Sequence, residues 1–193
     1  FPWNFFSLSL STTTMSLLEN SDLIKKVYFP RELIPISIVF ANLINFIFTL
    51  IVVFFILFLF KIKISYLVLL LPLVVFIQTI FIVGLVLIFS ILQVYYRDIK
   101  YIVEVLIIGL FYLTPIFYPL KLVSNISNTF LSIYMLNPLV QIITLYRLVL
   151  FGDYINYLPN GVSIFNLFFN SLILSFFIFF IGLWIFKKYE PRL

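Results

Sequence analysis

The chain has 193 residues, of which 64% are hydrophobic and 10% are charged, and its mean hydropathy is +1.25. Soluble domains contain about 45–50% apolar and about 25% charged residues, so this composition indicates an integral membrane protein. The absence of His and Cys excludes imidazole catalysis, thiol nucleophiles, disulfides and the usual zinc sites.

The formal net charge of +5 raises the question of a nucleic-acid partner. The basic residues, however, stand at the ends of apolar segments and form no basic stripe. Membrane topology therefore explains the charge better, and no nucleic acid is expected among the partners.

The chain begins with a short apolar segment followed by a highly charged one. Phe1–Leu18 is short for a complete crossing, whereas Asn20–Pro35 contains charges that would each cost roughly 3 kcal/mol in hydrocarbon. The charged segment, which we call the surface segment, is therefore predicted to lie at the membrane surface. Four of its apolar residues would share one face of a short helix that ends before Pro30: Leu23, Ile24, Val27 and Tyr28. Such a face is suited to binding another protein, and the basic residues also suit anionic headgroups.

Two long uncharged segments, Leu33–Phe60 and Tyr66–Tyr95, follow. At 1.5 Å per residue, each is long enough to cross a hydrocarbon core of about 30 Å. Polar residues inside them are predicted to form hydrogen bonds between helices, rather than a transport site: Asn42, Asn45, Thr49 and Gln78.

A second charged turn precedes the next predicted span, Tyr101–Tyr118, and contains Tyr96, Arg97 and Asp98. Glu104 lies one turn beyond Lys100, at a favourable pairing distance on a helix. We favour an interfacial position for Glu104, with a functional intramembrane carboxylate as the alternative.

The region from Lys121 to Asp153 differs from the spans because its two apolar pieces are short. They lie near Phe130–Leu136 and Leu139–Phe151, and neither can cross a bilayer. Both are predicted to be re-entrant or interfacial helices. Ile164–Phe186 is predicted to be the final span.

The distribution of basic residues predicts the orientation of the chain. If the surface segment is cytosolic, the larger group of basic residues is cytosolic too: Lys25, Lys26, Arg31, Arg97, Lys100, Lys187, Lys188 and Arg192. The smaller group falls outside: Lys61, Lys63, Lys121 and Arg147.

The sequence contains no recognisable set of catalytic residues. It has no G-x-x-x-x-G-K-[ST] phosphate loop and no pair of carboxylates on one face. A membrane-embedded transferase is therefore a weak alternative, and a membrane scaffold is harder to exclude.

Four motifs carry a resemblance to a known family. They are L-I-K-K-V-Y-F-P-R-E-L-I-P at residues 23–35, Y-R-D-I at 96–99, T-P-I-F-Y-P at 114–119, and N-P-L at 137–139 followed by Y-R at 146–147. In this order they resemble the type-2 ABC permeases that export lipid-linked polysaccharides and polyol phosphates, namely the O-antigen, capsule and teichoic-acid exporters.

The resemblance implies an all-α integral membrane protein with the six-span fold of a type-2 ABC exporter. Residues 1–193 would form a single transmembrane permease domain that lacks its N-terminal part. Phe1–Leu18 would be the later half of the second span, with Trp3 near the outer interface. Short re-entrant helices would precede the last span, and the C-terminus would be cytosolic.

The resemblance also implies a function in the cytoplasmic membrane of a bacterium. Two copies of the permease would pair with two ATPase subunits, which bind ATP and Mg²⁺, while this chain binds no cofactor or metal. The implied ATPase-coupling residues are Leu23, Ile24, Lys25, Lys26, Val27, Tyr28, Phe29, Arg31 and Glu32. The cargo would be a lipid-linked glycan or polyol phosphate, although another exported substrate, such as a drug or a lipid, is the alternative.

Aromatic residues near the end of the Tyr101–Tyr118 span are candidates for the substrate channel: Phe111, Tyr112, Phe117 and Tyr118. Their rings would stack on sugars, or equally would form an aromatic belt at the interface between the membrane and water.

Overall fold

The computed structural model describes residues 1–21, 30–62, 65–124, 128–159 and 162–190, which are helical with connecting turns and contain no strands. Two 3₁₀ segments, Tyr66–Leu70 and Gly152–Tyr157, accompany the α-helices. The α-helices are α1 Pro2–Thr14, α2 Ser16–Glu19, α3 Leu33–Leu59, α4 Leu71–Tyr95, α5 Ile99–Tyr112, α6 Leu120–Ser124, α7 Asn128–Tyr134, α8 Pro138–Leu150 and α9 Ile164–Tyr189.

Three helical stretches of the described chain are long and apolar enough to cross a membrane. They are Leu33–Leu59, Tyr66–Tyr95 and Ile164–Tyr189, which confirms the three long spans predicted from the sequence. In an apolar 18-residue window of the middle stretch, 67% of the residues are buried, against 17% in the corresponding window of each of the other two. The helix α4 therefore forms the centre of the bundle, while α3 and α9 present wide apolar faces outward.

The central helix α4 and the last helix α9 pack backbone against backbone through two glycines. A Cβ atom added at Gly84 would lie 2.7 Å from the Cα atom of Phe179, and one added at Gly182 would overlap the Gly84 carbonyl oxygen. Ser171 and Ser175 of α9 are also fully buried. Small residues at this interface allow the close approach by which membrane helices gain van der Waals contact.

The short helix α1 packs against the middle of α4. The Gln78 side-chain nitrogen donates a hydrogen bond of 2.7 Å to the Pro2 carbonyl oxygen, as predicted for a polar residue between helices. Gln78 lies roughly 20 Å from the end of the span at Tyr66. Trp3, which is 9% exposed, therefore lies near the middle of the bundle. Its indole packs on Phe6 and Phe111, and the expectation that Trp3 lies near the outer membrane interface stays a prediction.

The helix α5 is shorter than the predicted span Tyr101–Tyr118. It ends at Tyr112, and the residues from Leu113 to Pro119 are not helical. Pro115 disfavours helical geometry at the residue before it, so the chain leaves the helix at this point.

The two short helices expected before the last span are present as α7 and α8. The 13-residue helix α8 is buried over most of its length by the surrounding helices. A buried position of this kind is where short helices are tolerated at membrane depth.

We predict that Gly182→Ala lowers the free energy of unfolding by about 1–3 kcal/mol, because the added methyl group forces α4 and α9 apart. Thermal unfolding in detergent measures the effect. Gly109→Ala in α5 is the matched control, since no atom lies within 4 Å of its added Cβ. Equal loss of stability in both variants would show that the glycine contact does not hold the bundle together.

Candidate functional site

Arg31, Tyr95, Tyr189 and Glu190 lie at the end of the bundle that the predicted orientation assigns to the cytosol. The Arg31 guanidinium donates a hydrogen bond of 2.8 Å to the Glu190 carbonyl oxygen. The Tyr95 hydroxyl donates one of 3.0 Å to the Tyr189 carbonyl oxygen, and the two tyrosine rings meet edge to face. These contacts join the start of α3, the end of α4 and the end of α9 at one level.

Most of the predicted ATPase-coupling residues, Leu23 to Phe29, lie outside the described residues. Arg31 and Glu32, which are described, are half-buried. Arg31 thus connects the chain just before α3 to the end of the last helix. Its role in binding an ATPase stays a prediction.

The turn between α4 and α5 is held by a residue that the sequence did not single out. The Gln93 side-chain nitrogen donates to the Arg97 carbonyl oxygen at 3.0 Å, and its side-chain oxygen accepts from the Lys100 amide at 2.6 Å. Tyr96, Arg97 and Asp98 are exposed, and among the described residues Arg97 and Asp98 form no side-chain hydrogen bond. The sequence signal was a single amide residue about one turn before the charged motif, and the structure shows that this amide is buried.

The non-helical segment after α5 is held by Arg147 of α8. The Arg147 guanidinium donates hydrogen bonds of 2.6 Å to the Ile116 carbonyl oxygen and 3.0 Å to the Tyr118 carbonyl oxygen. It donates a third, of 3.1 Å, to the Tyr154 hydroxyl, and lies over that ring at 5.5 Å from its centroid. A planar guanidinium with five N–H groups is suited to serve several acceptors at once.

The hydrogen bonds from Arg147 compensate for the backbone hydrogen bonds that are lost where the chain leaves α5. Backbone carbonyls without helical partners are costly away from water unless another donor reaches them. Arg147 supplies that donor, and its position in the last turn of α8 also favours a cation electrostatically. We call the segment from Leu113 to Pro119, together with Arg147, the helix break.

The helix break brings together three of the four aromatic residues predicted to line a channel. The Phe111 ring meets Tyr112 at 5.5 Å and Phe117 at 5.4 Å between centroids, and it also meets Trp3 at 5.4 Å. Tyr112 is 73% exposed and Phe117 is 81% exposed, so both rings are free to contact another molecule.

The fourth predicted residue, Tyr118, plays a different part. Its hydroxyl group forms hydrogen bonds to the Tyr112 carbonyl oxygen at 3.1 Å and to the Tyr134 hydroxyl at 2.8 Å. Tyr118 therefore links the helix break to α7. Trp3, rather than Tyr118, packs with these aromatic rings. The sequence did not predict this contact because Trp3 is distant along the chain.

Comparison with known proteins finds a similarity to an export permease. The chain is 32% identical over 150 residues to the O-antigen export system permease protein RfbA of Myxococcus xanthus. The match covers 78% of this chain and 57% of that relative, so the chain spans little more than half of the relative's length. No family model matches the chain. That relative is, by its name, the permease of an O-antigen export system, and the match leaves the cargo of this chain open.

We predict that Arg147→Met destabilises the protein because the Ile116 and Tyr118 carbonyls lose their donor, at about 1–3 kcal/mol for each. Arg147→Lys keeps the charge but cannot reach all three acceptors, so it should lie between Met and the wild type. Thermal unfolding in detergent measures both, with Lys187→Met, at an exposed cation of α9, as the control. Wild-type stability of Arg147→Met would show that the helix break does not depend on this side chain.

Proposed function

We propose that this chain is the membrane permease subunit of a type-2 ABC exporter in the cytoplasmic membrane of a bacterium. It moves a lipid-linked polysaccharide or polyol phosphate of the O-antigen, capsule or teichoic-acid type outward. The energy comes from a separate ATPase subunit that binds ATP and Mg²⁺. The active assembly contains two permeases and two ATPases.

The observation that carries this proposal is the 32% identity to an O-antigen export permease over most of the chain. The helical architecture supports it, because three long apolar stretches and a buried short helix suit a transporter domain. The exposed rings of Tyr112 and Phe117 at the helix break support a sugar-containing cargo, since aromatic faces stack on sugar rings.

The partner ATPase accounts for the surface segment. Its apolar residues would fill a groove on the ATPase, and its charges would align the two proteins at the rim. The bond from Arg31 to the Glu190 carbonyl then gives a rigid connection from this segment to the last span. Movement of the ATPase would reach α3 and α9 through that connection.

We predict that ATP-dependent uptake of a lipid-linked glycan into inverted membrane vesicles requires both subunits. The full-length permease alone should show no vanadate-sensitive ATP hydrolysis, because residues 1–193 contain no phosphate loop. The two proteins are purified separately and together, and uptake and hydrolysis are measured in each case. Hydrolysis by the permease alone, or uptake without the ATPase, contradicts the proposal.

We predict that Val27→Asp abolishes co-purification with the ATPase, whereas Lys26→Ala leaves it nearly unchanged. An unpaired carboxylate buried in an interface costs several kcal/mol, but an exposed ion pair contributes at most about 1 kcal/mol. The measurement is recovery of tagged ATPase at equal membrane levels of each permease variant. The opposite ranking would mean that the surface segment binds by charge rather than by its apolar face.

A further inference from the structure

A groove runs between α1 and α5, which lie side by side in opposite directions. At one end, Trp3 packs against Phe111, with 5.4 Å between ring centroids. Towards the other end, the groove is an open depression of about 650 Å³ whose lining includes Asn4, Ser7, Leu8, Ser11, Glu104 and Ile108. The groove therefore leads from a polar part, around Glu104, to the aromatic residues of the helix break.

The polar part of the groove has unused hydrogen-bonding capacity. Glu104 is exposed and, in the described part of the chain, forms no hydrogen bond or ion pair, so the expected pairing with Lys100 is not seen. Ser7 and Ser11 donate to carbonyl oxygens of their own helix at 3.3 and 2.9 Å, which leaves their oxygens as acceptors. The side-chain amide of Asn4 likewise has no partner in the described ranges.

The polar surface continues from α1 onto α3. Asn4 and Leu8 also line a second, smaller cavity together with Asn42, Asn45 and Thr49. The Asn42 side-chain nitrogen donates a hydrogen bond of 3.2 Å to the Thr12 hydroxyl across the two helices. Amides and hydroxyls thus lie on both sides of α1, in the groove and in the neighbouring smaller cavity, which a face that only contacts lipid would not require.

Acyl chains are an unfavourable occupant for this groove, because they offer no hydrogen-bond partner to the Glu104 carboxylate or the Asn4 amide. A chain of hydroxyl groups is the matching occupant. It donates hydrogen bonds to Glu104 and the serine oxygens, accepts them from Asn4, and presents ring faces to the aromatic end.

We infer that the groove between α1 and α5 binds the polyhydroxylated chain of the exported molecule, with Glu104 as its main hydrogen-bond acceptor. The inference rests on the proposed function, since it assigns part of the transport path to that cargo. The bound chain passes from Glu104 and Ser11 towards Phe111 and Phe117.

The first test is the accessibility of the groove to water. Single substitutions Ser11→Cys and Ile108→Cys are made in the full-length protein, with any cysteine beyond these 193 residues replaced by serine. Both should react with a membrane-impermeant sulfonate thiol reagent. Phe48→Cys and Phe177→Cys are the controls, since both residues are 62% exposed on α3 and α9 but lie outside the groove. Labelling of the groove no faster than these controls overturns the inference. In that case, disulfide formation between two copies of Ser11→Cys identifies a second permease as the occupant, and its absence identifies lipid.

The second test asks what the groove binds. A polyprenyl-diphosphate-linked oligosaccharide should slow the labelling of Ser11→Cys, whereas polyprenyl phosphate without sugar should not. Equal protection by both probes would assign the groove to the lipid tail and overturn the inference.

Glu104→Gln in the Ser11→Cys background should raise the oligosaccharide concentration for half-protection about tenfold, because a charged acceptor becomes a neutral one. Val105→Leu is the control, since Val105 is exposed on α5 outside the groove. An unchanged half-protection concentration for Glu104→Gln would reject the role of this carboxylate.

ATP-dependent uptake by the wild type, measured in parallel, distinguishes failure of the groove inference from failure of the proposed function. Uptake without protection of the groove rejects the groove alone. Failure of uptake by the wild type rejects the proposed function, and with it the role of the groove.

Discussion

The close contact of Gly84 with Gly182 sets the geometry on which the rest of the bundle depends. With no side chain at either position, α4 and α9 approach until backbone atoms touch, and α4 becomes the buried centre of the described chain. Water cannot drive membrane helices together, so close packing and internal hydrogen bonds must hold them. Other contacts then follow from the fixed position of α4, including the bond from Gln78 to Pro2 and the turn held by Gln93.

The second constraint is that backbone groups at membrane depth must find partners inside the protein. The chain departs from the helix after Tyr112, and Arg147 meets the resulting cost with bonds to the Ile116 and Tyr118 carbonyls. This solution has a functional consequence. The end of α5 at Tyr112 leaves Tyr112 and Phe117 exposed, beside the groove between α1 and α5. In a continuous helix through Tyr118, Tyr112 and Phe117 would lie on different faces, because they are five residues apart.

The two ends of this assembly are suited to different partners. The contact of Arg31 with the end of α9 lies at one end, where the proposed ATPase would act. The helix break lies further along the bundle, where the proposed cargo would meet aromatic rings. The helices α3, α4 and α9 connect these regions as long, regular elements, which suits the transmission of a movement from one to the other.

The sequence by itself determined that the protein is a helical membrane protein, where its three long spans lie, and that short helices precede the last one. These features depend on composition and on the length of apolar runs, which are local properties. Only the tertiary structure decided where α5 ends, that Trp3 lies in the interior, and that Glu104 faces a groove rather than Lys100. The partners of these residues come from distant parts of the chain: Arg147 reaches Ile116, Trp3 packs on Phe111, and Ser11 lines the cavity opposite Glu104. A single sequence records apolar periodicity along each helix, but the pairing of faces between helices arises from packing, which the linear pattern does not specify.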